Sequence, residues 1–374
     1  MLLRSFATVL ALVGAVRGLL TEVTIFDPPA NYTIPRTLYA RTLLLNEIDP
    51  QTGNNVLLAT WENYLPDNDP FPYFPIFQSF DLGETWSERS RVYDQVNGWG
   101  LRYQPFLYEL EEDLGDYPAG TVLIAGNSIP QNLSHTQIDL YASRDKGYTW
   151  EFVSRIASGG EAIPDNGLTP VWEPFLMVYE GQMICYYSDQ RNPAHGQQLS
   201  HQTSRNLIEW GPVVTDVAYS NYTFRPGMTT VSHLPNGSYI ITYEFYGAPQ
   251  AAFAVYYRIS ENPLEFNSAP GYVIDANGTI PVSSPYNIWT PAGGPHGTIV
   301  VSCGTLGQVF VNRELGAVDA WEQVPTPESV SYTRNLRVLP NPNQILITGA
   351  GVLGGTANKV TTSSIQLSVG GGWW

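Results

Sequence analysis

The sequence predicts an all-β fold, a single propeller of six four-stranded blades, and three observations carry that prediction. Aromatic and turn-forming residues dominate: 10 Trp, 23 Tyr and 14 Phe stand beside 34 Gly and 29 Pro, with 43% hydrophobic and only 14% charged residues. That is the composition of many short strands joined by turns, with enough apolar surface for a large core. A turn signature, S-x-D-x-G-x-T-W, occurs twice, as Ser79, Asp81, Gly83, Thr85 and Trp86 and again as Ser143, Asp145, Gly147, Thr149 and Trp150. Strand-like apolar runs recur six times, about 45 to 65 residues apart. The 374 residues exceed the usual single core, but closed β architectures carry such length as one domain.

Taken in order, residues 1–18 hold Arg4, the apolar run 5–16 and then Arg17 and Gly18. This pattern reads as a cleaved secretory signal, too short to span a bilayer, and no later segment is a candidate span. The mature domain is therefore expected over 19–374, secreted and extracellular. Five N-x-S/T sequons, at Asn31, Asn132, Asn221, Asn236 and Asn277, suit that route as candidate N-glycosylation sites.

The six apolar runs are 56–62, 122–127, 182–189, 239–244, 298–303 and 344–349. Downstream of each of the first five sits a turn marker: Trp86, Trp150, then decayed copies at 204–210, at 260–266 and in the segment ending at Trp321. The two series keep step, as repeated blades require. Residues 20–25 and 361–369 are expected to share one blade and close the ring. No long apolar pattern of period 3.6 appears, so helices are expected to be few. The Pro- and aromatic-rich stretch 63–75 reads either as a surface connection or as a pocket wall.

In the turn signature, Asp accepts hydrogen bonds from the turn's own amides, Gly takes the positive-φ position, and Thr and Trp start the next strand. It resembles the Asp-box of sialidase-like β-propellers, which implies a structural role for Asp81 and Asp145. Cys185 and Cys303 fall in different blades and are expected as buried free thiols. No Cys or His spacing supports a metal site, and no cofactor is implied. A net charge of −16 argues against nucleic acid as a partner.

In a propeller the inner strands converge on the axis, so blade-equivalent polar residues meet in one hollow. At the ends of the second-strand runs the repeats align Glu62, Asn127, Ser188 with Asp189, and Glu244; on the inner strands they offer Arg41, Tyr103, Glu173, Arg225, Tyr286 and Tyr332 with Arg334. Glu173 and Glu244 stand among aromatic residues, where a carboxylate is costly unless paired or functional. Two such acids on one hollow suit glycoside hydrolysis. Each also suits a buried, hydrogen-bonded spacer.

From Tyr39 onward the chain resembles glycoside hydrolase family 93, the secreted fungal exo-arabinanases. The resemblance is carried by blocks at 61–64, 94–106, 126–130, 172–175, 186–191, 201–204 and 242–244. It implies retaining hydrolysis of α-1,5-linked L-arabinofuranan, the arabinan of pectin, with release of arabinobiose from the non-reducing end by a monomer. It further implies Glu173 as nucleophile and Glu244 as general acid/base, in that order or the reverse, with Tyr332 assisting. Arg41, Glu62, Trp99, Tyr103, Asn127, Trp172, Asp189, Arg191 and Tyr246 are the expected substrate-binding residues. Two rival readings stand beside this one. A sialidase would need three arginines around a carboxylate and an Arg-Ile-Pro motif, whereas Ile34, Pro35 and Arg36 have those residues in another order. A lectin-like propeller would need no close pair of acids.

Overall fold

A computed structural model describes residues 18–66, 69 and 71–367. The signal-peptide prediction, apart from Gly18, and the end of the 361–369 segment lie outside the described residues. A short strand, β1 (Val23–Phe26), precedes the first blade, which comprises β2 (Thr37–Ile48), β3 (Asn55–Asn63), β4 (Phe74–Ser79) and β5 (Ser87–Val92). The second blade is β6 (Leu101–Glu109), β7 (Val122–Ser128), β8 (Thr136–Ser143) and β9 (Glu151–Gly159), and the third is β10 (Val171–Tyr179), β11 (Gln182–Asp189), β12 (Gln198–Ser204) and β13 (Val214–Val217). The fourth is β14 (Arg225–His233), β15 (Tyr239–Tyr246), β16 (Ala254–Ser260) and β17 (Tyr272–Val273), and the fifth is β18 (Tyr286–Thr290), β19 (Thr298–Ser302), β20 (Val309–Asn312) and β21 (Trp321–Val324). The sixth combines β22 (Asn335–Val338), β23 (Gln344–Gly349) and β24 (Val360–Gln366) with β1.

Each blade is an antiparallel sheet in simple sequential order, and β1 pairs with β24, so the two ends of the chain close the ring as expected. All six apolar runs are second strands, buried on both faces between neighbouring blades. A single 3-10 turn, Phe266–Ser268, is the helical structure found among the described residues.

The turn signature explains how the blades are clamped. Asp81 accepts from Thr85 N–H at 2.9 Å, and Asp145 accepts from Thr149 N–H at 2.8 Å; Gly83 and Gly147 hold φ of 103° and 93°, angles that a side chain would strain. The second copy's Trp150 donates across to Ser90 of the first blade, and the decayed copy's Trp210 donates to Ser154 of the second. In that decayed copy Asn206 replaces Asp and still accepts from Ile208 and Glu209 amides. Cys185 and Cys303 are buried and unbridged.

Candidate active site

Four successive inner strands carry the same irregularity at the same height. The pairing register slips between Leu38 and Arg41 in β2, Tyr103 and Phe106 in β6, Trp172 and Phe175 in β10, and Gly227 and Thr230 in β14. Each slip is a bulge that contains one left-handed residue: Tyr39 (φ 55°), Gln104 (58°), Glu173 (66°) and Met228 (61°). Bulges re-aim side chains, and such strained residues cluster at functional sites. The residues paired just before these bulges are Glu62, Asn127, Ser188 and Glu244, the blade-equivalent set aligned from sequence. Ring closure thus brings the bulges and their partners to one end of the axis.

Glu173 is buried, and its Oε2 accepts from Ser188 Oγ at 2.5 Å and from Met228 N at 2.7 Å. Burial pushes its carboxyl up, and these two bonds together with the Arg225 and Arg41 guanidiniums pull it back. Glu244 Oε2 accepts from Ser284 N at 2.7 Å. Burial and then the charge of Glu173 push the Glu244 carboxyl up to about 7. Between the two acids lies Gly227, where a Cβ would sit 3.5 Å from Glu173 Oε2, 3.7 Å from Glu244 Oε1 and 2.9 Å from Gln197 Nε2. A bare glycine therefore leaves open the space that both carboxyls face.

Glu62 is the third acid of the hollow, buried and pushed up to about 7, first by burial. Its Oε2 accepts from Tyr64 Oη at 2.8 Å and its Oε1 from Gln104 N at 3.0 Å. Tyr64 comes from the 63–75 stretch, whose described residues Tyr64, Leu65, Pro66, Asp69 and Pro72 line a neighbouring pocket with Arg102 and Tyr103. Tyr332 packs edge-on to Tyr39, and its hydroxyl lies 3.6 Å from Met228 Sδ. Burial and the charges of Glu173 and Glu244 push its phenol well above the usual range. Arg41 sits over the rings of Tyr39 (4.0 Å) and Tyr286 (5.0 Å) and donates to Thr333. These cation–π contacts place a charge at the floor of the hollow. A cavity of about 610 Å³ opens on the axis at the other ends of the inner strands, lined by Leu44, Tyr108, Met177, His233, Trp289 and Arg337, away from the acids.

The other expected substrate-binding residues divide. Tyr103 stacks obliquely near Tyr64 at 6.2 Å, and Trp172 Nε1 donates to Gln197 Oε1 at 3.2 Å, beside the acids. Tyr246 is 43% exposed on the rim against Phe253, and Trp99 stacks on His135. Asn127 is fully buried and donates to the Val171 carbonyl, which ties the second blade to the third. Asp189 and Arg191 form an ion pair at 2.6 Å, and Arg191 also donates to Tyr187 and Ser158. Asp189 and Arg191 are satisfied by protein partners, whereas Asn127 keeps its buried Oδ1 without one.

Gln104, Gly227 and Met228 were missed. Gln104 had a readable signal: Tyr103, Gln104, Pro105 and Phe106 repeat as Trp172, Glu173, Pro174 and Phe175, with a proline that cannot donate to the ladder at each bulge. Among the described residues no cluster of three or more His, Cys, Asp or Glu is placed to hold a metal ion.

Two acids that face one gap, one of them raised to about 7, can perform double displacement at an anomeric carbon. No protein-family model and no curated protein matches the chain. Solved structures do. It is 53% identical to an α-L-arabinanase of Penicillium chrysogenum complexed with arabinobiose, over 94% of this chain and 99% of that one, with a TM-score of 0.89. It is 51% identical to the GH93 α-L-arabinofuranosidase of Fusarium graminearum with arabinobiose, over 93% and 98%, again at 0.89. A Streptococcus pneumoniae NanB sialidase mutant superposes at 0.58 with 11% identity over 93% of this chain and 70% of that one, a likeness of fold alone.

Proposed function

The chain belongs to glycoside hydrolase family 93, and on that premise we propose that it is an exo-arabinanase, releasing arabinobiose from the non-reducing end of α-1,5-L-arabinofuranan with retention of configuration. The observation that carries this reading is the convergence of Glu173 and Glu244 on the space above Gly227. Two oxygens that close to one point are at most about 7 Å apart, a spacing that admits the 5–5.5 Å of retaining enzymes.

Glu173 is the nucleophile in this scheme. Its carboxylate accepts two hydrogen bonds on one oxygen and faces two guanidiniums, which favours the charged form. Glu244, raised to about 7, carries the proton for the leaving oxygen. After the glycosyl–Glu173 ester forms and the rest of the chain departs, Glu244 takes a proton from water, which attacks the anomeric carbon and frees the carboxylate. Arg41 and Arg225 offset the acids' charge. The three-arginine grip of a sialidase lacks support here, since Arg334 is fully buried and donates to the carbonyls of Cys303, Leu306, Gly307 and Gln308.

A secreted monomer suits the five sequons, whose asparagines are all exposed. Among the described residues no helix is long and apolar enough to cross a membrane. The test is digestion of debranched arabinan, with products separated by chromatography and the first-formed anomer read by proton NMR. Arabinobiose of unchanged anomeric configuration is expected. A ladder of longer products would exclude exo action, and an inverted anomer would exclude retention.

A further inference from the structure

Glu62 faces the hollow, yet both of its oxygens already receive donors from the protein, Tyr64 Oη on one and Gln104 N on the other. Gln104 is the left-handed residue of the second blade's bulge, and its Oε1 accepts the Glu173 amide N–H at 3.3 Å. Glu173 is in turn the left-handed residue of the third blade's bulge. A non-glycine residue in this region costs about 1–3 kcal/mol and persists only where its surroundings hold it. Here one carboxylate, through one glutamine, ties two such residues in adjacent blades.

From this chain of contacts we infer that Glu62 is a positioning residue for Glu173, acting through Gln104 to hold the Glu173 bulge in the backbone conformation that aims its carboxylate at the sugar. The inference rests on the arabinanase reading and gives Glu62 a task other than touching substrate. The titratable and charged groups that face Glu62 are Tyr39 and Arg41 from β2, Tyr64 beyond its own strand, Tyr103 from β6, Glu173 from β10 and Tyr332 ahead of β22. Arg41 is the cation among them, so it favours the charged form that the Gln104 amide and the Tyr64 hydroxyl both bind.

A double-mutant cycle with Glu62→Ala and Gln104→Asn tests this on a short α-1,5-arabino-oligosaccharide. Asn tolerates the left-handed region and keeps its own N–H for Glu62, but its shorter side chain withdraws the carbonyl from Glu173. We expect kcat to fall about 100-fold for Glu62→Ala, the scale of a misplaced reacting group, with KM changed by less than about threefold. The Gln104→Asn loss should be about 10-fold, and the double variant should lie within about twofold of Glu62→Ala because the two act as one unit. Glu62→Gln, which keeps an acceptor for Gln104 N, should recover most of the activity. Losses that multiply, a rise in KM in place of the fall in kcat, or a Glu62→Gln as impaired as Glu62→Ala would each overturn the inference. A melting curve of Glu62→Ala guards against simple unfolding. Crystal structures of wild type and Gln104→Asn give a readout independent of turnover: Glu173 should leave its φ of 66°, and an unmoved bulge overturns the claim. A wild type that released no arabinobiose would refute the hydrolase reading, while the crystallographic comparison still decided the positional claim.

Discussion

The Ser188 hydroxyl donates to Glu173 Oε2 at 2.5 Å, on the same oxygen that accepts the Met228 amide. Glu244 lies across the Gly227 gap and is pushed up to about 7 by burial and by the charge of Glu173. The division of labour proposed for the acids rests on that asymmetry and can be read by removing each in turn.

Glu173→Ala and Glu244→Ala should each lower kcat about 10²–10⁴-fold or more on arabino-oligosaccharides. Azide then separates their roles on a substrate with an activated leaving group. Where the nucleophile is missing, azide attacks from the vacated face and gives an inverted glycosyl azide. Where the acid/base is missing, it attacks the ester intermediate and gives a retained one. The product from Glu173→Ala should be inverted; a retained product would exchange the two roles.

The dependence of kcat/KM on pH should show an alkaline limb. Glu244 must be protonated to assist departure, and its carboxyl is raised to about 7, so activity falls as pH rises through about 7. A profile still climbing above about pH 8 would contradict the assignment of Glu244 as the acid.

Gly227→Ala would place a methyl 2.9 Å from Gln197 Nε2 and within 4 Å of both carboxyls. Gln197 would have to give way, and the new group would occupy sugar space. We expect kcat/KM to fall at least about 100-fold, with the melting temperature changed by only a few degrees, since a small displacement of the reacting groups is costly. An active Gly227→Ala would show that the sugar sits elsewhere.

Glu62→Gln should change stability in a pH-dependent way. The folded carboxyl is raised to about 7 from 4.5, so the folded chain holds a proton that the unfolded chain releases. Wild-type stability from this group is fully present below 4.5 and is lost as pH rises through about 7, by at most about 3 kcal/mol. Relative to wild type, the variant should therefore gain in urea unfolding at pH 8 compared with pH 4. A difference independent of pH would contradict the burial of that charge.

Asp81→Ala and Asp145→Ala should each cost about 1–2 kcal/mol, because turn amides lose their acceptor, and leave kcat unchanged. Thermal melting and steady-state kinetics check both halves. Loss of turnover without loss of stability would move these residues from scaffold to site.

Much of the site was legible because the blades repeat. Glu62, Ser188 and Glu244 align in sequence as the ends of second strands, and the register confirms that they occupy equivalent heights. Gln104 stands level with Glu173 in a matching aromatic–polar–Pro–Phe setting, whereas the inner-strand alignment set Tyr103, one residue earlier, at that height. Gly227 and Met228 lacked even that, since their importance is the space one leaves and the amide the other supplies. Asn127 finds the partner of its amide nitrogen, the Val171 carbonyl, on the next blade, which no local pattern shows.

The amino-acid order alone determined the six-fold sheet repeat, the outer turns and the closure of the ring through β1 and β24, because apolar periodicity and turn geometry are local demands written into adjacent residues. Only the closed molecule decided how three acids are held: Glu173 by two hydrogen bonds on one oxygen, Glu244 across the Gly227 gap, and Glu62 tied to a neighbouring bulge. Those properties arise from desolvation and hydrogen bonds between blades far apart in the chain, and they come into being when the ring closes.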